Sequence, residues 1–144
     1  MRALLDVNVL IALLDGNHVF HERAHAWWIK NEDHGWASCP LIENGVIRVM
    51  TLPSYGRQLK FIPSEVVDGL QKLASTTNHE FWADELSLLD NKIFDPERIL
   101  NGQHLTDLYL LALAAKNHAR FVTFDQNIPL SPVRIAKPEN LLVL

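Results

Sequence analysis

Arg2-Ala3-Leu4-Leu5-Asp6-Val7-Asn8-Val9-Leu10-Ile11-Ala12-Leu13-Leu14 is the stretch from which the fold can be read. Arg2 to Leu5 reads as a strand buried on both faces, a short apolar run without the alternation of a half-exposed strand. Asp6 to Asn8 then turns the chain into a helix whose apolar face is Leu10, Ile11, Leu13 and Leu14, and Asp15-Gly16-Asn17 ends it.

The same alternation continues outward from this unit. His18 to Lys30 carries Phe20, Ala24, Trp27, Trp28 and Ile29 at helical spacing, and Asn31 to Gly35 is a polar connector. A short strand is expected at Trp36 to Ser38. Pro40 follows where a helix can begin, because its missing N–H would be unpaired there in any case. Pro53 to Gly56 reads as a loop, and Pro63-Ser64-Glu65 opens a helix through Leu73 with Val66, Val67 and Leu70 as its stripe. Glu80 to Ala83 suggests a strand, whereas Asp84 to Gly102 has no clear period and suits short helices at most. Gln103 to Asn117 repeats Leu105, Leu108, Leu111, Ala112 and Ala115 at three and four residues, which predicts a long amphipathic helix. Phe121 to Phe124 is a buried strand delivering Asp125 at its end, and Leu141 to Leu144 is a candidate terminal strand. Strands alternating with helices imply an α/β fold with a mainly parallel sheet covered on both faces. No internal repeat, low-complexity tract or linker divides residues 1–144, so a single domain is expected.

Composition sets the class of protein. The 144 residues suffice for one hydrophobic core without a disulfide or structural metal. Nearly half are apolar and about a fifth charged, which excludes disordered and fibrous classes. The single cysteine, Cys39, suits a reducing cytoplasm and reads as a small buried hydrophobe. No secretion signal or membrane-spanning stretch is evident, because Asp6 and Asn8 interrupt the apolar run near the start. The formal net charge of −4 argues against non-specific nucleic-acid binding. Four acids converging on one site would account for that excess, and divalent cations would cancel it where a phosphate approaches. A short basic interval, Arg57 and Lys60, reads as a solvated loop before it reads as a contact to an RNA backbone.

Four acids stand where a strand hands over to a loop or helix: Asp6, Glu43, Asp107 and Asp125. Each has an ordinary explanation on its own. Asp6 and Asp107 suit helix caps, with Asn8 and Thr106 better placed still; Glu43 suits a first helical turn, and Asp125 a turn. Their conjunction suggests instead a shared site for metal-dependent phosphodiester chemistry, in which carboxylates hold Mg²⁺ or Mn²⁺. Carboxylates about 4 Å apart repel by ~4 kcal/mol per pair at an effective dielectric near 20, so such a cluster calls for a cation.

Leu4-Leu5-Asp6-Val7-Asn8, Cys39-Pro40-Leu41-Ile42-Glu43-Asn44-Gly45, Leu105-Thr106-Asp107-Leu108-Tyr109-Leu110-Leu111-Ala112-Leu113-Ala114 and Val122-Thr123-Phe124-Asp125 occur in an order that resembles the PIN-domain nucleases, most closely VapC-type toxins of toxin-antitoxin pairs. The resemblance spans Leu4 to Asp125. It implies a PIN-like three-layer α/β/α sandwich and a Mg²⁺-dependent endoribonuclease, with Mn²⁺ as the alternative ion. Asp6, Glu43, Asp107 and Asp125 take the metal-binding catalytic positions, and Asn8 and Thr123 the small polar positions that hydrogen-bond a carboxylate or substrate phosphate. It further implies a metal-activated water as nucleophile, 5′-phosphate and 3′-hydroxyl products, an RNA substrate, a homodimer and a cognate antitoxin. Gln126 and Asn127 replace a basic residue common in relatives, and Ile42 replaces a threonine, without removing a ligand.

Other constellations rank lower. His18, His21 and His25 fall at helical spacing, but a structural zinc wants four ligands and no suitable fourth is near. His104, close to Asp107, reads as a solvated loop residue. Trp27, Trp28, Trp36 and Trp82 read as core or interface residues before they read as stacking platforms for bases. A haloacid-dehalogenase-like phosphatase would need an aspartate where Asn8 stands and a lysine near the acids. A receiver-type signalling module would need paired acids after the first strand and a lysine on a late strand, where Phe121-Val122-Thr123-Phe124-Asp125 has none.

Overall fold

The computed structural model describes residues 1–56 and 60–144. Arg57 of the basic interval lies outside the described residues, and Lys60 is exposed and donates its Nζ to the carbonyl of Pro53. Among the described residues, five short strands form one wholly parallel sheet: β1 (Ala3–Leu5), β2 (Trp36–Ser38), β3 (His79–Phe81), β4 (Arg120–Thr123) and β5 (Leu141–Val143), in the order β3-β2-β1-β4-β5. Around it, among the same described residues, lie the α-helices α1 (Val7–Leu14), α2 (His21–Asn31), α3 (Pro40–Met50), α4 (Pro63–Thr76) and α5 (Leu105–Lys116). Helix α1 packs on α2 and α3, and α3 on α4, while α5 packs on β4 and β1, giving the three-layer α/β/α arrangement. The central strand β1 reads as a continuous apolar run and is buried along its whole length because helices cover both faces of the sheet there.

The strand order fixes where a site can form. From β1 the chain steps outward to β2 and β3, then returns across α5 to the opposite side of β1 for β4 and β5. The gap beyond the carboxyl ends of β1 and β4 is therefore the topological switch point, where an open parallel sheet leaves a crevice for ligands. Leu5 pairs with Val122, so Asp6 and Thr123 emerge side by side into that crevice, and Asp6 N–H donates to the Val122 carbonyl at 2.9 Å.

At the opposite edge Arg2 ties three strands together. Its guanidinium donates to the Trp36 carbonyl and the Asn78 side chain, each at 3.1 Å, and pairs with Glu80 at 3.0 Å. Gly35 makes room for it: with φ +77°, a Cβ there would collide with the Arg2 guanidinium. A second close approach sits near the carboxyl edge, where Gly45 of α3 receives Val7 of α1; a Cβ on Gly45 would lie 2.6 Å from Val7 Cγ2. The α1–α3 spacing, and with it the separation of Asp6 from Glu43, depends on that glycine.

Two expectations need correction. Helix α5 is not amphipathic in place, because every residue from Leu108 to Ala114 is buried. Its outer side is covered in part by the loop that follows β3, whose Leu86 N–H donates to the Tyr109 hydroxyl. That loop, the stretch without a clear period, holds a 3₁₀ turn at Pro96–Arg98 and pairs Phe94 with Val133 in an isolated antiparallel bridge, burying Phe94 fully. Strand β3 begins at His79 and ends at Phe81, one to two residues earlier than the β-rich pattern suggests. Trp28 and Trp36 are core residues, and Trp27 and Trp82 pack partly buried against the core. No described helix is long and apolar enough to cross a membrane.

Candidate active site

Asp6 ends β1 and caps α1. One carboxylate oxygen accepts from Val7 N–H at 2.7 Å, and the other from Thr123 Oγ1 at 2.7 Å. Thr123, fully buried at the end of β4, also accepts from Asp125 N–H at 3.0 Å, so one hydroxyl links the exits of the two central strands. Asp125 in turn accepts from Asn127 N–H at 2.8 Å, closing a tight turn that keeps its second oxygen directed back toward α5. Asp107 arrives from the first turn of α5. Its Oδ2 lies 3.5 Å from His104 Nδ1, and the same nitrogen is 3.7 Å from Asp125 Oδ2.

Burial makes this corner electrostatically costly. Only 8% of Asp6 is exposed. Desolvation, reinforced by the charges of Asp107 and Asp125, pushes its carboxyl from 3.8 up to about 6 despite the hydrogen bonds from Thr123 and Val7. Asp107 is raised as well, chiefly by desolvation and then by Asp125, with His104 opposing. Such shifts mark acids held together against repulsion. A hard divalent cation fits this donor set: it seeks carboxylate oxygens and would offset the desolvation, and the lesser repulsion, that raise both groups. His104, Asp107 and Asp125 offer one nitrogen and two oxygens, all within 4.8 Å of one another.

Glu43 sits in the first turns of α3, and its carboxylate turns toward β2 and β3. Ser38 Oγ lies 2.6 Å from Glu43 Oε1 and 2.8 Å from His79 Nε2. A serine has one proton to give; donated to an ionised Glu43, it leaves Ser38 to accept from His79 Nε2–H. Burial lowers the pKa of His79, so the neutral tautomer protonated at Nε2 meets this requirement. The three residues line a cavity of about 200 Å³ together with Trp36, Ile47 and Gln71. Asn8 is exposed in the first turn of α1.

The structure thus draws Asp6, Asp107, Asp125 and Thr123 into one cluster, and holds Glu43 in a neighbouring polar chain. The sequence places His104 close to Asp107, where it reads as a solvated loop residue, whereas the structure holds it partly buried against Asp107 and Asp125. Nor does the sequence announce Ser38 and His79, whose shared contact crosses two strands. His18, His21 and His25 assemble no comparable group among the described residues: His18 lies in the turn before α2, which begins at His21 and not at His18 as expected, and its Nδ1 accepts from Phe20 N–H, while His21 Nδ1 contacts the Ala12 carbonyl.

The PIN domain family model matches residues 3–131 of this parallel α/β/α sandwich, acids at its switch point included. The chain belongs to the PIN-domain family. Its full-length relatives there are VapC ribonucleases: it is 46% identical over 144 residues to Ribonuclease VapC44 of Mycobacterium tuberculosis, covering all of both chains. It is also 39% identical over 125 residues to Ribonuclease VapC39 of the same organism, covering 87% of this chain and 89% of that one. In fold it resembles the crystal structure of VapBC2 from Rickettsia felis bound to a DNA fragment from their promoter, with TM-score 0.59 and 11% identity, covering 88% of this chain and 90% of that chain.

Proposed function

We propose that the protein is a Mg²⁺-dependent endoribonuclease, the toxin of a type II toxin-antitoxin pair, that cleaves cellular RNA in the cytoplasm. The observation that carries the reading is the convergence of Asp6, Asp107 and Asp125 at the switch point, with Asp6 buried and its pKa raised by that burial and by the other two acids. The names of the full-length relatives supply the substrate class, and the VapBC2 likeness supports the fold.

Asp107 and Asp125 would hold the ion directly, Asp6, tied to Asp125 through Thr123, would ligate it or hold an ion-bound water, and Glu43 would be the fourth acid. When bound, a divalent cation shields the phosphoryl charge and acidifies water for attack, and the hydrolysis leaves 5′-phosphate and 3′-hydroxyl ends. The chain's own residues preorganise the site. Thr123 fixes the rotamer of Asp6 and the turn of Asp125 through one hydroxyl, so two ligands are aimed before substrate arrives. Ser38 orients Glu43 in the same way. Asn8, exposed in the first turn after Asp6, would hydrogen-bond a substrate phosphate or a carboxylate. A homodimer and a cognate antitoxin covering the acidic crevice complete the proposal.

Incubation of the purified protein with labelled single-stranded RNA tests it. Internal cuts are expected with Mg²⁺, none with EDTA, and a return of cutting when Mg²⁺ is restored in excess. Cutting that persists in EDTA, or in the Asp6→Asn/Asp107→Asn double variant, would sink the reading.

A further inference from the structure

We propose that His104 is itself a ligand of the ion, completing a nitrogen-containing set with Asp107 and Asp125 and biasing the site toward Mn²⁺ over Mg²⁺. The inference rests on the metal-dependent reading above. Its basis is geometric. His104 Nδ1 lies 3.5 Å from Asp107 Oδ2 and 3.7 Å from Asp125 Oδ2. These separations are long for hydrogen bonds, which for an N–H donor cluster at about 2.9–3.0 Å. They fall between the roughly 3.0 Å that separates adjacent donors and the roughly 4.2 Å that separates opposed donors about 2.1 Å from an octahedral centre, so shifts of about half an ångström would let the donors share one ion. Among the described residues these three side chains form the one group of histidine and acid donors close enough to hold an ion.

Local structure explains how the imidazole is brought there. Asn101 accepts from Gln103 N–H at 2.8 Å and caps a 3₁₀ turn, Gly102–His104, which runs directly into α5. His104 is the residue preceding α5 and lies three positions before Asp107, so the two side chains share one face. An imidazole so placed has two readings with opposite consequences. As a counter-charge it would neutralise Asp107 and Asp125 and compete with a cation. As a ligand it would add affinity, and add more for a first-row transition ion than for Mg²⁺, which strongly prefers oxygen.

The experiment is Mn²⁺ and Mg²⁺ titration of the full-length protein and its His104→Ala and His104→Gln variants, with pulsed electron paramagnetic resonance on the Mn²⁺ complexes. The expected result is a coordinated-nitrogen coupling in the wild type that both variants lack. Mn²⁺ affinity should fall by about tenfold or more in each variant, with Mg²⁺ affinity changed distinctly less. Absence of the nitrogen coupling while Mn²⁺ binds, or variants that bind Mn²⁺ as well as or better than wild type, overturns the assignment and leaves the nuclease reading standing. Failure of the wild type to bind either ion overturns both.

Discussion

The two edges of the same parallel sheet are built on opposite electrostatic plans. At the amino edge a single cation, Arg2, is surrounded by acceptors: the Trp36 and Asn78 carbonyls, the Asn78 side chain and Glu80. At the carboxyl edge like charges crowd one corner, where burial and the mutual repulsion of Asp6, Asp107 and Asp125 favour protonation. Both edges join neighbouring strands, the first by pairing opposite charges and the second by hydrogen bonds that hold like charges together. The second stores repulsion that a cation and a phosphate can exploit. The sheet's stability and its chemistry therefore occupy different ends of the same strands, and perturbations at the two ends should separate cleanly.

The sharpest break in the comparison is Asp6→Asn. RNA cleavage should fall by at least about 10²–10³-fold, the loss typical of removing one electrostatic contributor to a reaction centre, measured as single-turnover cutting at saturating Mg²⁺. The same change should stabilise the metal-free protein at neutral pH. The wild-type carboxyl is raised from 3.8 to about 6, a displacement equivalent to about 3 kcal/mol between its two protonation states. Because the folded pKa is the higher one, the stability that protonation confers is complete below about pH 4 and lost as pH rises through about 6. In EDTA, Asp6→Asn should therefore exceed wild type in denaturant stability by up to about 3 kcal/mol at pH 7, the gap closing toward pH 4. Taking the difference removes the opposing contribution of His18 and His79, whose lowered pKa values favour the fold at higher pH. A gap of the wrong sign at pH 7 would show that burial and the neighbouring acids place no net penalty on the Asp6 carboxylate.

Much of this contrast is legible in the sequence, and the parts that are not share a cause. Asp6 and Asp125 follow strands whose apolar runs are local signals, and Asp107 opens a helix with clear period, so three acids can be placed from adjacent residues alone. Thr123 is legible for the same reason. The burial of α5 on all sides is not, because its cover is the loop carrying Leu86 and Phe94, which has no period of its own. Nor are the bracing of Glu43 by Ser38 and His79, or the approach of His104 to Asp125. Each joins residues that only sheet register or helix packing brings together, and single histidines carry no pattern to announce it.

Gly35→Ala attacks the other edge. A side chain at φ +77° is strained, and its Cβ would displace the Arg2 guanidinium from its acceptors. Strain of this kind costs about 1–3 kcal/mol, so the denaturation midpoint should drop. Divalent-ion affinity, measured by titration on the folded protein, should stay within about twofold of wild type, well under the roughly 1.4 kcal/mol that tenfold represents. A loss of ion affinity as large as the loss of stability would mean that the edges are coupled through the strands.

The smallest expected effect probes a point between the two edges. Ser38 lies at the carboxyl end of β2, buried, and its hydroxyl joins Glu43 to His79. Ser38→Ala removes that bridge without changing the charge of either partner. Orienting groups of this type are worth about 10–100-fold, and Glu43 is one acid of four, so cleavage should slow by about tenfold. Ser38→Thr, which keeps the hydroxyl, should recover most of that loss, whereas Ser38→Ala with added Mg²⁺ should not if the defect is orientation of Glu43 and not ion affinity. Equal losses in Ser38→Ala and Ser38→Thr would instead point to packing against Trp36 and the cavity wall. Glu43 would then depend on the position of α3, which Gly45 sets against Val7, and not on the hydroxyl of β2.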